Sequence, residues 1–346
     1  MNKEDSPSVN ICVPTHNAGR TLAQTLDSIF GQTYRNIRVS VVDNASTDNT
    51  IPIAAAYVRR EDRLRVVPNT ENIGAEGNFN RCLSLAAGDY TAIYHSDDLY
   101  DPSIVEREVL FLEKYKNAGA VFCMADTIDE NGRPGRAYRL PPGVKSGADG
   151  LYDFQSVFKA TLRNGNFLFC PTALVRTGIY RDHIKIWDGA RFGSSADLDV
   201  WFRILMKQPI GIINEPLIKY RVSSASYSYS ACRGKIAAHD MLKVVDCYIK
   251  GYAKAILGPE DLRAYSSLLL NDNVNRAFNL AVMGKSAEAK GLISGVFSSD
   301  SLSIMIGSVY HLKTVSLAAL TALLIFLPLP ERALRLISVL RYKTRG

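Results

Sequence analysis

Between Val9 and Ala125, short apolar runs alternate with stretches whose apolar residues recur at helical spacing. Val9 to Val13, Ile37 to Val42, Leu64 to Val67, Tyr90 to Tyr94 and Ala120 to Met124 are rich in β-branched or aromatic residues and too short for helices, so they read as strands. Leu22, Leu26, Ile29 and Phe30 share one helical face, as do Phe79, Cys82, Leu83 and Ala86. Thr47 and Asp48 suit the cap of a helix through Ala54 to Val58. Asp101-Pro102 opens another helix, with Val105, Val109 and Leu112 on its face. Strand–helix alternation of this kind predicts an α/β fold: a parallel sheet covered by helices on both faces. Ligands of such sheets bind beyond the carboxyl ends of the strands, which says where chemistry should be sought.

Residues 130–150 are rich in Gly, Pro and Arg and read as a loop. Phe154 to Thr161 and Asp197 to Met206 read as helices, and Pro171 to Val175 and Ile210 to Arg221 as strand-like runs. From about Cys232 the pattern is almost wholly helical, with a hairpin over Asn275 to Ile293 turning at Gly284. These shifts divide the chain into an α/β domain over 1–230, a helical extension over 231–300 and a tail over 301–346. Thr314 to Pro330 carries no charge but spans only 17 residues; a bilayer-crossing helix needs roughly 20. Arg332 to Tyr342 then sets Ala333, Leu336, Ile337 and Leu340 against basic neighbours. That pairing predicts peripheral contact with an anionic membrane surface, the inner membrane of a bacterium, rather than a span.

Composition narrows the class. With 47% hydrophobic and 22% charged residues the chain can bury a sizeable core and is not disordered. Its net charge of +7 comes without a basic stripe interleaved with aromatics, so nucleic acid is not an expected partner. Six cysteines form no CxxC pair, which fits a reducing compartment. Met1 to Ser8 is polar and has no signal-peptide pattern, which places the expected site of action in the cytoplasm, at the membrane's cytoplasmic face. No GxGxxG follows the first strand, against a nicotinamide-dependent oxidoreductase. Residues 13–20 offer only Gly19 and Arg20 to a triphosphate, against a nucleotidyltransferase.

Three acidic clusters remain. Asp43 closes the strand Ile37 to Val42, where a carboxylate can accept hydrogen bonds from a nucleobase or ribose; a plain turn is the alternative. Tyr94-His95-Ser96-Asp97-Asp98 follows the strand Tyr90 to Tyr94. Adjacent carboxylates repel unless a cation screens them, and Mg²⁺ or Mn²⁺ takes one or two carboxylates plus substrate phosphates. Asp197 and Asp199 begin a helix, whose N-terminus keeps a carboxylate ionised and fit to serve as a general base. Between the first two clusters, Asn72, Gly74, Gly77 and Asn78 precede or open a helix, where backbone could approach a phosphate or base.

In order and spacing, Val13-Pro14-Thr15-His16-Asn17, Val42-Asp43-Asn44-Ala45-Ser46-Thr47-Asp48, Asn72-Ile73-Gly74, Ser96-Asp97-Asp98 and Ala196-Asp197 resemble the family 2 glycosyltransferases. The resemblance covers about residues 8–225. It implies a GT-A (Rossmann-like) fold, a nucleotide-diphosphate sugar donor, a divalent metal and inversion at the anomeric carbon. Pro14, Thr15, Asn17, Asp43, Asn72, Gly74, Asn78, Ser96 and Asp97 match donor-binding positions, Asp97 and Asp98 the metal motif, and Asp197 the catalytic base. Arg203, Tyr220 and Arg221, with the Ser-rich stretch after them, match the acceptor or diphosphate side. His95 stands where the common Asp-x-Asp motif has its first Asp, and Ala196 where many members carry an acid. The implied acceptor is a saccharide or lipid-linked saccharide of surface-polysaccharide assembly. The alternative is a non-catalytic sugar-nucleotide-binding or scaffold protein derived from a transferase.

Overall fold

A computed structural model describes residues 6–147, 150–223, 235–296 and 309–327. Cys232, the Ser-rich stretch beyond Ser223 and the basic segment Arg332 to Tyr342 lie outside them. The chain divides into two compact units, one of residues 1–158 and 166–223, the other of 159–165 and 224–346.

The first unit is a nine-stranded sheet with helices against it. Strands β1 (Val9–Thr15), β2 (Ile37–Asp43), β3 (Leu64–Pro68) and β4 (Tyr90–Ile93) alternate with α1 (Leu22–Phe30), α2 (Thr50–Val58) and α3 (Gly74–Ser84). They pair in parallel in the order β3-β2-β1-β4. Val9, Ile11, Val13, Val39, Val41 and Ala92 are buried beneath Leu22, Leu26 and Ile29 of α1, so the β-branched runs of the sequence are the core itself. After the short strand β5 (Leu99–Tyr100) and α4 (Ile104–Lys114), β6 (Ala120–Ile128) lies parallel to β9 (Ile210–Arg221).

Three features depart from a purely parallel plan. Strand β8 (Leu174–Arg176) joins β4 to β6 antiparallel to both. It follows α5 (Phe154–Asn164) and a 3₁₀ turn over Cys170–Thr172, so of the run expected as a strand, Pro171 to Val175, only Leu174 and Val175 belong to β8. Within the expected loop 130–150, β7 (Pro134–Ala137) folds back on β6. Asp129 accepts from the Asn131 and Arg133 N–H groups to close that hairpin. Finally β5 pairs antiparallel with β9. Three helices follow β8: α6 (Thr177–Ile179), α7 (Gly189–Phe192) and α8 (Ala196–Leu205).

The second unit is helical, as the sequence pattern predicts. Helices Asp240–Lys250, Pro259–Val282, Ser286–Ile293 and Val309–Phe326 are its main elements. The hairpin turns at Gly284, whose φ of 76° suits glycine. Val274, Ala277, Phe278, Ala281, Ala289, Ile293, Ala318 and Leu324 form its core. Among the described residues no helix is long and apolar enough to cross a membrane.

Candidate functional site

The carboxyl ends of β2, β1 and β4 are neighbours, so the residues that follow these strands gather at one rim of the sheet. Asp43, the last residue of β2, is 2% exposed. Its carboxylate accepts from the Ser46 N–H at 3.0 Å, the Ser46 hydroxyl at 2.5 Å and the Thr15 hydroxyl at 3.4 Å. It therefore braces the turn after β2 and ties that turn to the end of β1. Asn17, with φ of 50°, receives a bond at its side-chain oxygen from the Thr47 N–H and donates its own N–H to Ser46 Oγ. Asn can hold that left-handed backbone where most side chains cannot.

Asn44 extends the web toward α3. Its amide donates to Asn72 Oδ1 and the Gly74 carbonyl, and its oxygen accepts from the Ile73 N–H and Asn69. Asn78 donates to the Val42 carbonyl and accepts from Asn69. Gly74 begins α3 at φ 78°, a conformation that costs a side-chain-bearing residue free energy. Thr15, Asn17, Asp43, Asn72, Gly74 and Asn78 are thus brought together in one connected set, with Pro14 opposite Val42 in the sheet. The β1–α1 loop carries it onward, for Thr21 Oγ1 donates to the Ser96 carbonyl at 3.0 Å.

At the end of β4, Asp98 is fully buried and Asp97 partly so. The Arg221 main-chain N–H donates to Asp98 Oδ1 at 2.7 Å. The Arg221 guanidinium donates to the carbonyls of Asp97, Asp129 and Glu130 and to Gln24 Oε1. Arg221 is therefore a clasp beneath the acidic loop. Asp98 Oδ2 and His95 Nε2 are buried without hydrogen-bond partners. Burial, and next the charge of Asp97, push the Asp98 carboxyl well above the usual carboxylate range. Burial also holds the His95 imidazole below its ordinary value, against the pull of Asp97. One ligand atom each from His95, Asp97 and Asp98 lies within 4.8 Å of the others. A divalent cation fits such a set: it would satisfy an orphaned carboxylate oxygen and relieve the repulsion between neighbouring acids.

Asp197 sits in the first turn of α8 and accepts from the Leu198 N–H at 2.7 Å. Burial raises its carboxyl to about 6, against the opposing bonds from backbone N–H groups and the Asn166 side chain. The Cys170 thiol is pushed up by burial, and the charges of Asp197 and then Asp98 act in the same direction. In contrast, Asp199 is bound by Arg203 at 2.8 Å. Arg203 also donates to the Ile184 and Ile186 carbonyls, which engages it in the loop before α7. Tyr220 places its ring 6.3 Å from His95 and 5.6 Å from Phe169.

Sequence reasoning missed the segment around Trp187. The Asn80 amide donates to the Trp187 carbonyl and accepts from its N–H, at 3.0 and 2.7 Å. Phe79 lies between Trp187 and His95. A Cβ on Gly189 would stand 2.2 Å from Glu76 Cγ, so glycine is what lets this segment approach α3. Trp187-Asp188-Gly189, an aromatic and a glycine in a polar stretch, was the available signal.

The family described as "Glycosyl transferase family 2" matches residues 10–183, just over half of the chain. The "Putative glycosyltransferase EpsE" of Bacillus subtilis is 29% identical over 266 residues, 72% of this chain and 91% of that protein. Among solved structures, S. aureus TarS 1-349 in complex with UDP is 16% identical with a TM-score of 0.53, covering 91% of this chain and 90% of that one. The mannosyltransferase PcManGT from Pyrobaculum calidifontis, in complex with GDP-Man and Mn2+, is 19% identical with a TM-score of 0.52, over 93% and 82%. At these identities the two structures speak to the fold alone.

Proposed function

Given that the chain belongs to glycosyltransferase family 2, we propose that it moves a sugar, with inversion, from a nucleoside-diphosphate sugar to a hydroxyl of a saccharide or lipid-linked saccharide. The carrying observation is that His95, Asp97 and Asp98 offer ligand atoms within 4.8 Å of one another in the loop after β4, which Thr21 ties to the rim that holds the Thr15–Asp43–Asn44 web. Pro14, Thr15, Asn17, Asp43, Asn72, Gly74, Asn78 and Ser96 would line the nucleotide side and Tyr220 the diphosphate or acceptor side, while Arg203 and Arg221, whose guanidiniums are engaged within the fold, would support the site from behind. Asp97 and Asp98 would hold a divalent cation, which when bound supplies positive charge against the diphosphate.

Asp197 takes the proton of the acceptor hydroxyl. The freed oxygen forms a bond to the donor's anomeric carbon on the face opposite the diphosphate. The bond from that carbon to the phosphate oxygen breaks, and the nucleoside diphosphate departs with the electron pair. A raised carboxyl suits this task, because a base poised near the working pH accepts a proton readily yet remains mostly ionised.

Membrane contact belongs to the same proposal. Leu320, Leu323, Phe326 and Leu327 are exposed along the helix Val309–Phe326 and its end, while Ala318, Thr321 and Leu324 are buried. Lys290 approaches the Phe326 ring. An apolar stripe with a basic flank suits the surface of an anionic bilayer, where a lipid-linked acceptor would be met.

A thermal-shift screen of sugar nucleotides, with and without Mn²⁺ or Mg²⁺, tests the donor reading. A ligand at 100 times its Kd adds about 2.7 kcal/mol, which raises Tm by roughly 4 °C if all 346 residues unfold together. Protection by one nucleotide sugar that requires the metal is the expected result. No shift with any nucleotide sugar would overturn the proposal.

A further inference from the structure

The loop after β4 offers a nitrogen as well as oxygens. We propose that the cation of this chain is held by His95 together with Asp97 and Asp98, and that this mixed set takes a first-row transition ion such as Mn²⁺ or Co²⁺ in preference to Mg²⁺. The inference rests on reading this loop as the metal site and adds which atoms bind and which ion they select.

Three observations carry it. His95 Nδ1 faces Asp98 Oδ2 across 3.6 Å. That is too long for a hydrogen bond. It is a fitting separation for two ligands on one ion, since donors about 2.1 Å from a shared cation stand roughly 3.0–3.6 Å apart. Asp98 Oδ2 has no partner although the side chain is fully buried, while its other oxygen is anchored by the Arg221 N–H. One carboxylate oxygen is thus fixed in place and left open toward the imidazole. Lastly, the His95 ring is held from two sides, edge-on to Phe79 at 5.9 Å and near Tyr220 at 6.3 Å. Its nitrogen therefore needs no large movement to bind.

Ligand chemistry then sets the preference. Carboxylates and phosphates suit Mg²⁺ and Mn²⁺ alike, but an imidazole adds affinity for transition ions in the order Mn²⁺ below Co²⁺ below Ni²⁺, and little for Mg²⁺. A direct His95–Asp98 hydrogen bond, formed by a small closing of the gap, is the competing arrangement.

Pulsed EPR on the full chain with bound Mn²⁺ and UDP decides between them. An imidazole ¹⁴N coupling in the wild type that vanishes in His95→Asp is the expected result. In competition titrations the same variant should lose about tenfold in its preference for Co²⁺ over Mg²⁺. Mn²⁺ bound without nitrogen coupling in the wild type would overturn the inference and leave the metal site standing. No Mn²⁺ bound even with UDP would overturn both. The wild-type spectrum needs no variant, so a misfolded substitution cannot obscure the outcome.

Discussion

Replacing Asp197 by Asn tests the proposed base, and its environment sets the numbers. Burial lifts the carboxyl from 3.8 to about 6. If the ionised form is the active one, kcat/KM is lost as pH falls through about 6: roughly a tenth of the maximum remains at pH 5 and about a hundredth at pH 4. Asp197→Asn should cut kcat by about 10²–10⁴ and flatten this acid limb, while donor affinity stays within about twofold. Holding the ionised group in this setting costs the fold about 3 kcal/mol at neutral pH. Asn can keep the bond from the Leu198 N–H without the charge, so the variant should lose turnover and gain thermal stability together. Removing the Asn166 amide, which holds the carboxyl down, should move the acid limb to higher pH. Product release measured from pH 4 to 8, beside Tm, reads all of these. Near-normal turnover in Asp197→Asn, or an acid limb that survives it, would refute the assignment.

Two further expectations concern other parts of the chain. Glu108 on α4 is buried with neither oxygen partnered, and burial raises its carboxyl well above the usual range. Its contribution to stability is therefore full below the unfolded value of about 4.3 and is lost as pH rises toward the folded one, at up to about 1.4 kcal/mol per pH unit. Denaturant titrations of Glu108→Gln should show a gain over wild type that grows with pH; a constant difference from pH 5 to 8 would contradict this. Changing Leu320, Leu323, Phe326 and Leu327 to Asn should reduce binding to anionic vesicles by about tenfold or more. Because these side chains are exposed, Tm should hold, and unchanged sedimentation with vesicles would count against the membrane contact.

How much of this was legible in sequence depends on how local each cause is. Val9 to Val13 is buried throughout and Ile37 to Val42 at every position but Arg38, so their composition alone marks them as inner strands. The rim chemistry was legible for a related reason: Asp43 and Asp97 follow apolar runs that stop, and in a parallel sheet the stops share an edge. Strand β8 was not legible in its direction, because Leu174–Arg176 is three residues long and its orientation follows from where α5 ends. Glu108 was half visible. It falls on the face shared by Val105, Val109 and Leu112, yet nothing local says that a carboxyl there stays dry.

Arg221 shows where local reading stops. A Tyr-Arg pair at a strand end, before a polar stretch, reads as a group offered to a ligand. The fold instead turns its guanidinium onto main-chain carbonyls of Asp97, Asp129 and Glu130, which are 124, 92 and 91 residues away in sequence. Carbonyls carry no side-chain signature, so no pattern of residue types could have named these partners. The arrangement also has a functional logic. Buried carbonyls need donors, and a guanidinium serves several of them at once. While it does so, its main-chain N–H fixes one oxygen of Asp98. A single residue thereby leaves Asp98 with one committed oxygen and one open oxygen, as the proposed metal role would require.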